Sequence, residues 1–162
     1  MEKKCMPDAD DGAFMNLAIE EAKKALKTGD VPVGAVVVRQ GRVVSLAHNT
    51  REYLKDATAH AEINAIREAC ELLGTWRLED CTLYVTLEPC PMCMGAAINS
   101  RIQRIVFGAK DSKAGACGSL VNLVSYPFNH KPEVVDGVLS EKCSELLREF
   151  FVQKRKRRSD GE

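Results

Sequence analysis

The sequence predicts a single α/β domain of three layers, with a central mixed five-stranded sheet and helices on both faces. Two observations predict it. Segments of helical period alternate with β-rich runs in the order α, β, β, α, β, α, β, then a strand and a helix. No repeat, low-complexity stretch or linker divides the 162 residues, which are 45% apolar and 28% charged, enough for one hydrophobic core. Residues 1–162 therefore read as one domain, with 1–10 expected to be a flexible start and 154–162 a basic tail.

The elements follow in order. Phe14, Leu17, Ala18, Ala22, Ala25 and Leu26 recur at helical spacing among charged residues, and Gly29 ends the helix. Val33 to Val38 and Arg42 to Ala47 are β-rich runs around Gln40-Gly41, the pattern of a hairpin. Asn49 to Thr58 reads as a polar loop. His60 to Leu73 has helical period, with Gly74 at its C-terminal cap. Thr82 to Leu87 is a third strand, and Cys90 to Asn99 a short helix with Pro91 suited to its first turn. Ile102 to Phe107 is a fourth strand. Gly108 to Ser119 is a loop rich in small residues, and Val134 to Val138 a short fifth strand. Ser140 is expected to cap a last helix whose apolar side carries Leu146, Leu147, Phe150 and Phe151.

Chemistry concentrates in His60-Ala61-Glu62 and Pro89-Cys90-Pro91-Met92-Cys93. Cys90 and Cys93 are three apart, so across one helical turn their thiolates can converge on one ion. Both lie in the first turn of a helix, where free N–H groups and the helix dipole favour thiolate. With His60 they make three borderline ligands, which leaves a tetrahedral zinc one open position, as in catalytic rather than structural sites. Zinc at such a site acidifies a water, and Glu62 is the residue to take its proton and pass protons to a ring nitrogen and a leaving amine. Residues two apart on a helix face different sides. Glu62 can reach the open position only if the metal lies ahead of the helix end.

Bulk properties narrow the setting. No run approaches the roughly 18 apolar residues of a membrane span. The polar, acidic stretch from Met1 to Asp11 does not read as a secretory signal, and seven cysteines without one read as cytoplasmic thiols. The formal net charge is zero but uneven: Lys154 to Arg158 is a run of five basic residues, and 18 basic residues face 23 acidic ones elsewhere. Such a run suits either a solvated helix end or phosphate contact.

Together the motifs resemble those of TadA-type tRNA-specific adenosine deaminases, in the cytidine-deaminase-like superfamily. Val31-Pro32-Val33-Gly34-Ala35, Ala47-His48-Asn49, Thr58 to Ile63, Thr82 to Cys93, Phe107 to Ala116 and Phe128-Asn129-His130 all follow that family's pattern. The resemblance spans Phe14 to Phe151. It implies hydrolytic conversion of the wobble adenosine of a tRNA anticodon to inosine, one Zn²⁺ per subunit, and a homodimer whose RNA surface draws on both copies. It implies that Asn49 bonds the flipped adenine or its ribose and that Asn129 contacts the flipped nucleotide. Lys110, Asp111 and Lys113 become RNA-side residues. Two alternatives stay open: a deaminase of a free base or nucleoside such as guanine or cytosine, or a non-catalytic RNA-binding subunit with a structural zinc closed by a fourth ligand such as Cys117.

Overall fold

A computed structural model describes residues 5–161 of the chain. Five strands form one sheet in the order β2-β1-β3-β4-β5: β1 (Gly34–Arg39), β2 (Arg42–His48), β3 (Cys81–Leu87), β4 (Arg104–Ala109) and β5 (Glu133–Val135). β1 runs antiparallel to both neighbours, whereas β3, β4 and β5 are mutually parallel, so the sheet is mixed as expected. Gln40 (φ 51°) and Gly41 (φ 74°) are both left-handed, which is what a two-residue hairpin turn requires.

Strand alternation divides the core in two. Ala35, Val37, Leu83, Val85, Ile105 and Phe107 meet α3 (Ala61–Leu73) and α4 (Pro91–Asn99) on one face. Val36, Val38, Tyr84 and Val106 meet α1 (Asp11–Lys24) and α5 (Ser140–Ser159) on the other. Both faces are covered over the central strands, so β1, β3 and β4 are buried almost throughout, whereas the edge strand β2 is largely exposed. Gly34 lets β1 begin flush against α1: a Cβ there would collide with the Ala18 carbonyl and lie 2.6 Å from the Ala22 nitrogen.

One buried polar network ties α1 to the sheet. The Asp11 carboxylate accepts two bonds from the Arg104 guanidinium, at 2.8 and 2.6 Å, and one from the Tyr84 hydroxyl at 2.7 Å. Arg104 also reaches the Met6 carbonyl and lies 3.4 Å from the Asp8 carboxylate, so part of the expected flexible start packs on the domain. Residues 1–4 and 162 lie outside the described residues.

Several boundaries differ from the sequence reading. The first helix continues past Lys24 as a 3₁₀ turn, Ala25–Thr28, before Gly29 at φ 74°. The expected loop after Asn49 contains a one-turn helix, α2 (Arg51–Leu54). The buried Asp30 carboxylate creates it by accepting from the Glu52 and Tyr53 amides at 2.7 and 3.4 Å. β4 starts two residues late because Ile102 is used in the turn after α4: its amide donates to the Ala97 carbonyl, and its carbonyl pairs with His130 Nε2 at 2.7 Å. Ser140 is not a cap. Leu139, left-handed at φ 53°, holds that position, and no side chain bonds the helix start. α5 itself carries the basic run as far as Ser159.

Candidate active site

Two helix starts meet at the end of the sheet where β3 and β4 finish, the edge at which α/β sheets place ligands. His60 precedes α3 and Cys90 precedes α4, both extended, at φ −73°, ψ 154° and φ −75°, ψ 173°. Pro91, with no N–H to lose, opens α4 and sets Cys93 on its first turn. His60 Nδ1 lies 3.7 Å from Cys90 Sγ and 3.5 Å from Cys93 Sγ. All three donor atoms fall within 4.8 Å of one another. A tetrahedral zinc with ordinary Zn–S and Zn–N bonds sets its N and S ligands about 3.6 Å apart. The donor set and its spacing therefore fit that ion.

Glu62 is the second residue of α3 and is only 4% exposed. It lines one cavity with His60 and Cys90, which puts it beside the donor cluster. His60 is the N-cap of α3, and both it and Glu62 line the cavity at that helix start. Burial pushes the Glu62 carboxyl above its usual range. The hydrogen bond with Cys93, aided by His60 and opposed by burial, brings the Cys90 thiol down to about 4. The same bond, with burial and the Glu62 charge, pushes Cys93 up. The Cys90 contact raises His60. A metal binding here must displace the protons these groups share.

A cavity of about 250 Å³ opens in front of the cluster, walled by His60, Glu62, Cys90, Asn49, Asp111 and Phe151, among others. The Asn49 side chain braces the site's backbone. Its Oδ1 accepts from the Ala61 amide at 2.7 Å, and its Nδ2 donates to the Val31 carbonyl at 3.1 Å. One N–H and one lone pair remain for a ligand. Lys110 is exposed, 3.7 Å from Asp136, and faces a neighbouring cavity. Lys113 lines a shallow groove with Arg148, Lys154, Arg155 and Arg158. That groove shares Phe151 and Lys154 with the cavity in front of the donor cluster. Asn129 is exposed on a loop and is not in the cavity wall. Cys117 is not among the clustered donors; its thiol faces Met94 Sδ at 3.3 Å.

Asp30, Glu88, Phe151 and Lys154 also line the cavity, and none of them stands among the site residues that the motifs indicate. Position alone could flag Glu88, which stands directly before Pro89-Cys90. Phe151 is visible in the sequence only as an apolar position of the last helix.

A family model described as MafB19-like deaminase matches residues 9–155. The chain belongs to that deaminase family. It is 54% identical over 149 residues to a tRNA-specific adenosine deaminase of Bacillus subtilis, covering 91% of this chain and 92% of the relative. It superposes with TM-score 0.81 and 47% identity on a structure from studies of A-to-I editing by tRNA:A34 deaminases at the wobble position of transfer RNA, covering 83% and 99% of the two chains. A guanine deaminase structure from Bacillus subtilis is more distant, with TM-score 0.61, 34% identity, and 74% and 75% covered. The resemblance to tRNA-specific adenosine deaminases read from the motifs is thus borne out, as is the cytidine-deaminase-like fold.

Proposed function

We propose that this member of the deaminase family hydrolyses the exocyclic amine of the wobble adenosine in a tRNA anticodon, leaving inosine. The observation that carries it is the convergence of the His60, Cys90 and Cys93 donors, with Glu62 lining the same cavity as His60 and Cys90. The high identity to proteins named for that reaction supports the substrate. In our reading His60, Cys90 and Cys93 hold one zinc. When bound, that ion supplies a water acidified towards neutrality.

The remaining steps fall to the chain's own groups. Glu62 takes the proton from the water and returns protons to the ring nitrogen and the departing amine, a shuttle one carboxylate can run. Its burial keeps solvent from competing for that proton. The cavity suits a single base rather than a helix, so the adenosine must leave its stack, which an anticodon loop permits at low cost. Asn49 would bond the base or ribose with its unused N–H and lone pair. The groove of Lys113, Lys154, Arg155 and Arg158 would take loop phosphates beside the cavity, with Lys110, Asp111 and Asn129 on the same RNA side.

We further propose a homodimer working in the reducing cytoplasm. The exposed Leu120, Tyr126 and Phe128 favour a contact between copies, and the seven free thiols suit that compartment. The likeness to a guanine deaminase keeps one second reading, turnover of a free base. Offering the protein guanine, cytosine, adenosine and an anticodon stem-loop side by side separates the two. Comparable turnover of any free base would overturn the RNA reading.

A further inference from the structure

The segment from Lys110 to Ser119 contains no helix and no strand of the sheet, yet it walls the catalytic cavity through Asp111 and Ala114. Through Lys110 and Ser119 it also walls the adjoining cavity of about 660 Å³. One side chain organises it. Glu88 is 2% exposed and stands two residues before Cys90. Its Oε1 accepts from the Asp111 amide at 3.1 Å and from the Ser119 hydroxyl. Its Oε2 accepts from the Cys117 and Ser119 amides at 3.0 and 3.2 Å. All four donors belong to the loop. No ion pair among the described residues includes Glu88. A buried carboxylate without a counter-ion is costly unless hydrogen bonds satisfy it, so carboxylate and loop lock each other in place.

Space around the carboxylate points the same way. A Cβ on Gly115 would collide with the Glu88 carboxylate, so a glycine lets the loop wrap it. An apolar side chain could fill the volume, but only a two-oxygen acceptor satisfies three amides and a hydroxyl together. The main chain adds two ties: Glu88 N–H to the Ala109 carbonyl and Ala116 N–H to the Pro89 carbonyl, each 2.8 Å. Glu88-Pro89-Cys90 is thus one short peptide joining the loop anchor to a donor of the metal cluster.

We propose that Glu88 is a positioning residue for the substrate-facing loop. It sets the Asp111–Ala114 wall at a fixed reach from the Cys90 side of the site and acts on nucleotide binding rather than on the chemical step. The proposal rests on the reading of the cavity as a nucleotide site.

The test uses the full-length protein and three variants. Glu88→Gln keeps the volume but turns an amide N–H₂ towards backbone donors. Gly115→Ala disturbs the same contact from the loop side, and Ser119→Ala removes one donor. Metal content, amide hydrogen exchange over 110–119, and kcat and KM on an anticodon stem-loop are measured for each. Glu88→Gln and Gly115→Ala should speed exchange in the loop and raise KM roughly tenfold, or 1.4 kcal/mol, with kcat within about twofold and metal retained. Ser119→Ala should shift both readings in the same direction by less. Unchanged loop exchange overturns the proposal, as does a fall in kcat at constant KM. Loss of metal with the loop still protected also overturns it, because Glu88 would then serve the donor cluster. If Glu88→Gln does not fold, Gly115→Ala and Ser119→Ala decide by the same readings. A wild-type protein that makes no inosine fails the functional reading instead, and loop exchange still judges the role of Glu88.

Discussion

Replacing Glu62 by Gln should leave the metal centre intact and remove most of the catalysis. The substitution keeps the side chain's size at a position only 4% exposed, so packing at the α3 start changes little. His60, Cys90 and Cys93 keep their positions, and metal should stay at one equivalent per chain. A positioned general acid–base contributes about 10²–10⁴-fold, or roughly 3–5.5 kcal/mol of barrier. The loss should lie towards the upper end, because three other carboxylates of the cavity, Asp30, Glu88 and Asp111, are engaged with the backbone. Asp30 is held by the Glu52 and Tyr53 amides, Glu88 by its loop, and Asp111 Oδ1 by the amides of Lys113 and Ala114. Glu52, the remaining carboxylate of the wall, is exposed to solvent and not buried as Glu62 is. The assay is single-turnover deamination of an anticodon stem-loop, with metal measured on the same preparation. A variant within tenfold of wild type would refute the proton-shuttle role, and metal loss would reassign Glu62 to the metal centre.

Other outcomes follow from named contacts. Cys90→Ser should lower both metal content and activity, measured by metal analysis and turnover, because it removes one of three donors. Asp11→Asn should destabilise the fold by about 3 kcal/mol at neutral pH by removing the buried charge partner of Arg104 and leaving it only the exposed Asp8, as read by denaturant unfolding. Burial works to raise the Asp11 carboxyl, but the bonds from Arg104 and Tyr84 outweigh it and hold it below the usual 3.8. Its stabilising effect is therefore complete above the unfolded value and lost as pH falls through the folded one, so variant and wild type should converge in acid. Gly34→Ala should lower thermal stability by several degrees, since its Cβ meets the Ala18 carbonyl and not a movable side chain. Neutralising Lys154, Arg155 and Arg158 together should weaken stem-loop binding and flatten its salt dependence by about 0.7 for each phosphate left without a cation.

Much of the site was legible because its signals are local. His60 and Glu62 share one helix start, Cys90 and Cys93 share another, and short spacings within a turn translate directly into convergent side chains. The requirement that the metal lie ahead of α3 follows from helical geometry alone. The features that were not legible depend on residues far apart in the chain. Glu88 reaches amides 23 to 31 residues away, and Asp30 reaches amides 22 and 23 residues on. A carboxylate satisfied by loop backbone leaves no spacing rule to read. The bracing role of Asn49 was hidden for the same reason. Its partners, Val31 and Ala61, flank it at distances no motif encodes. The sheet was easier, since five β-rich runs predicted five strands. The late start of β4 and the left-handed Leu139 cap turned on tertiary bonds and a backbone choice rather than on propensity.

The most direct test of the function is mass analysis of nucleosides from an anticodon stem-loop carrying adenosine at the wobble position, after incubation with the zinc-loaded protein. Inosine should appear at that position in multiple turnovers and should not appear when the wobble base is moved into a paired stem. Adenosine left intact in the loop, with guanine or cytosine consumed instead, would contradict it.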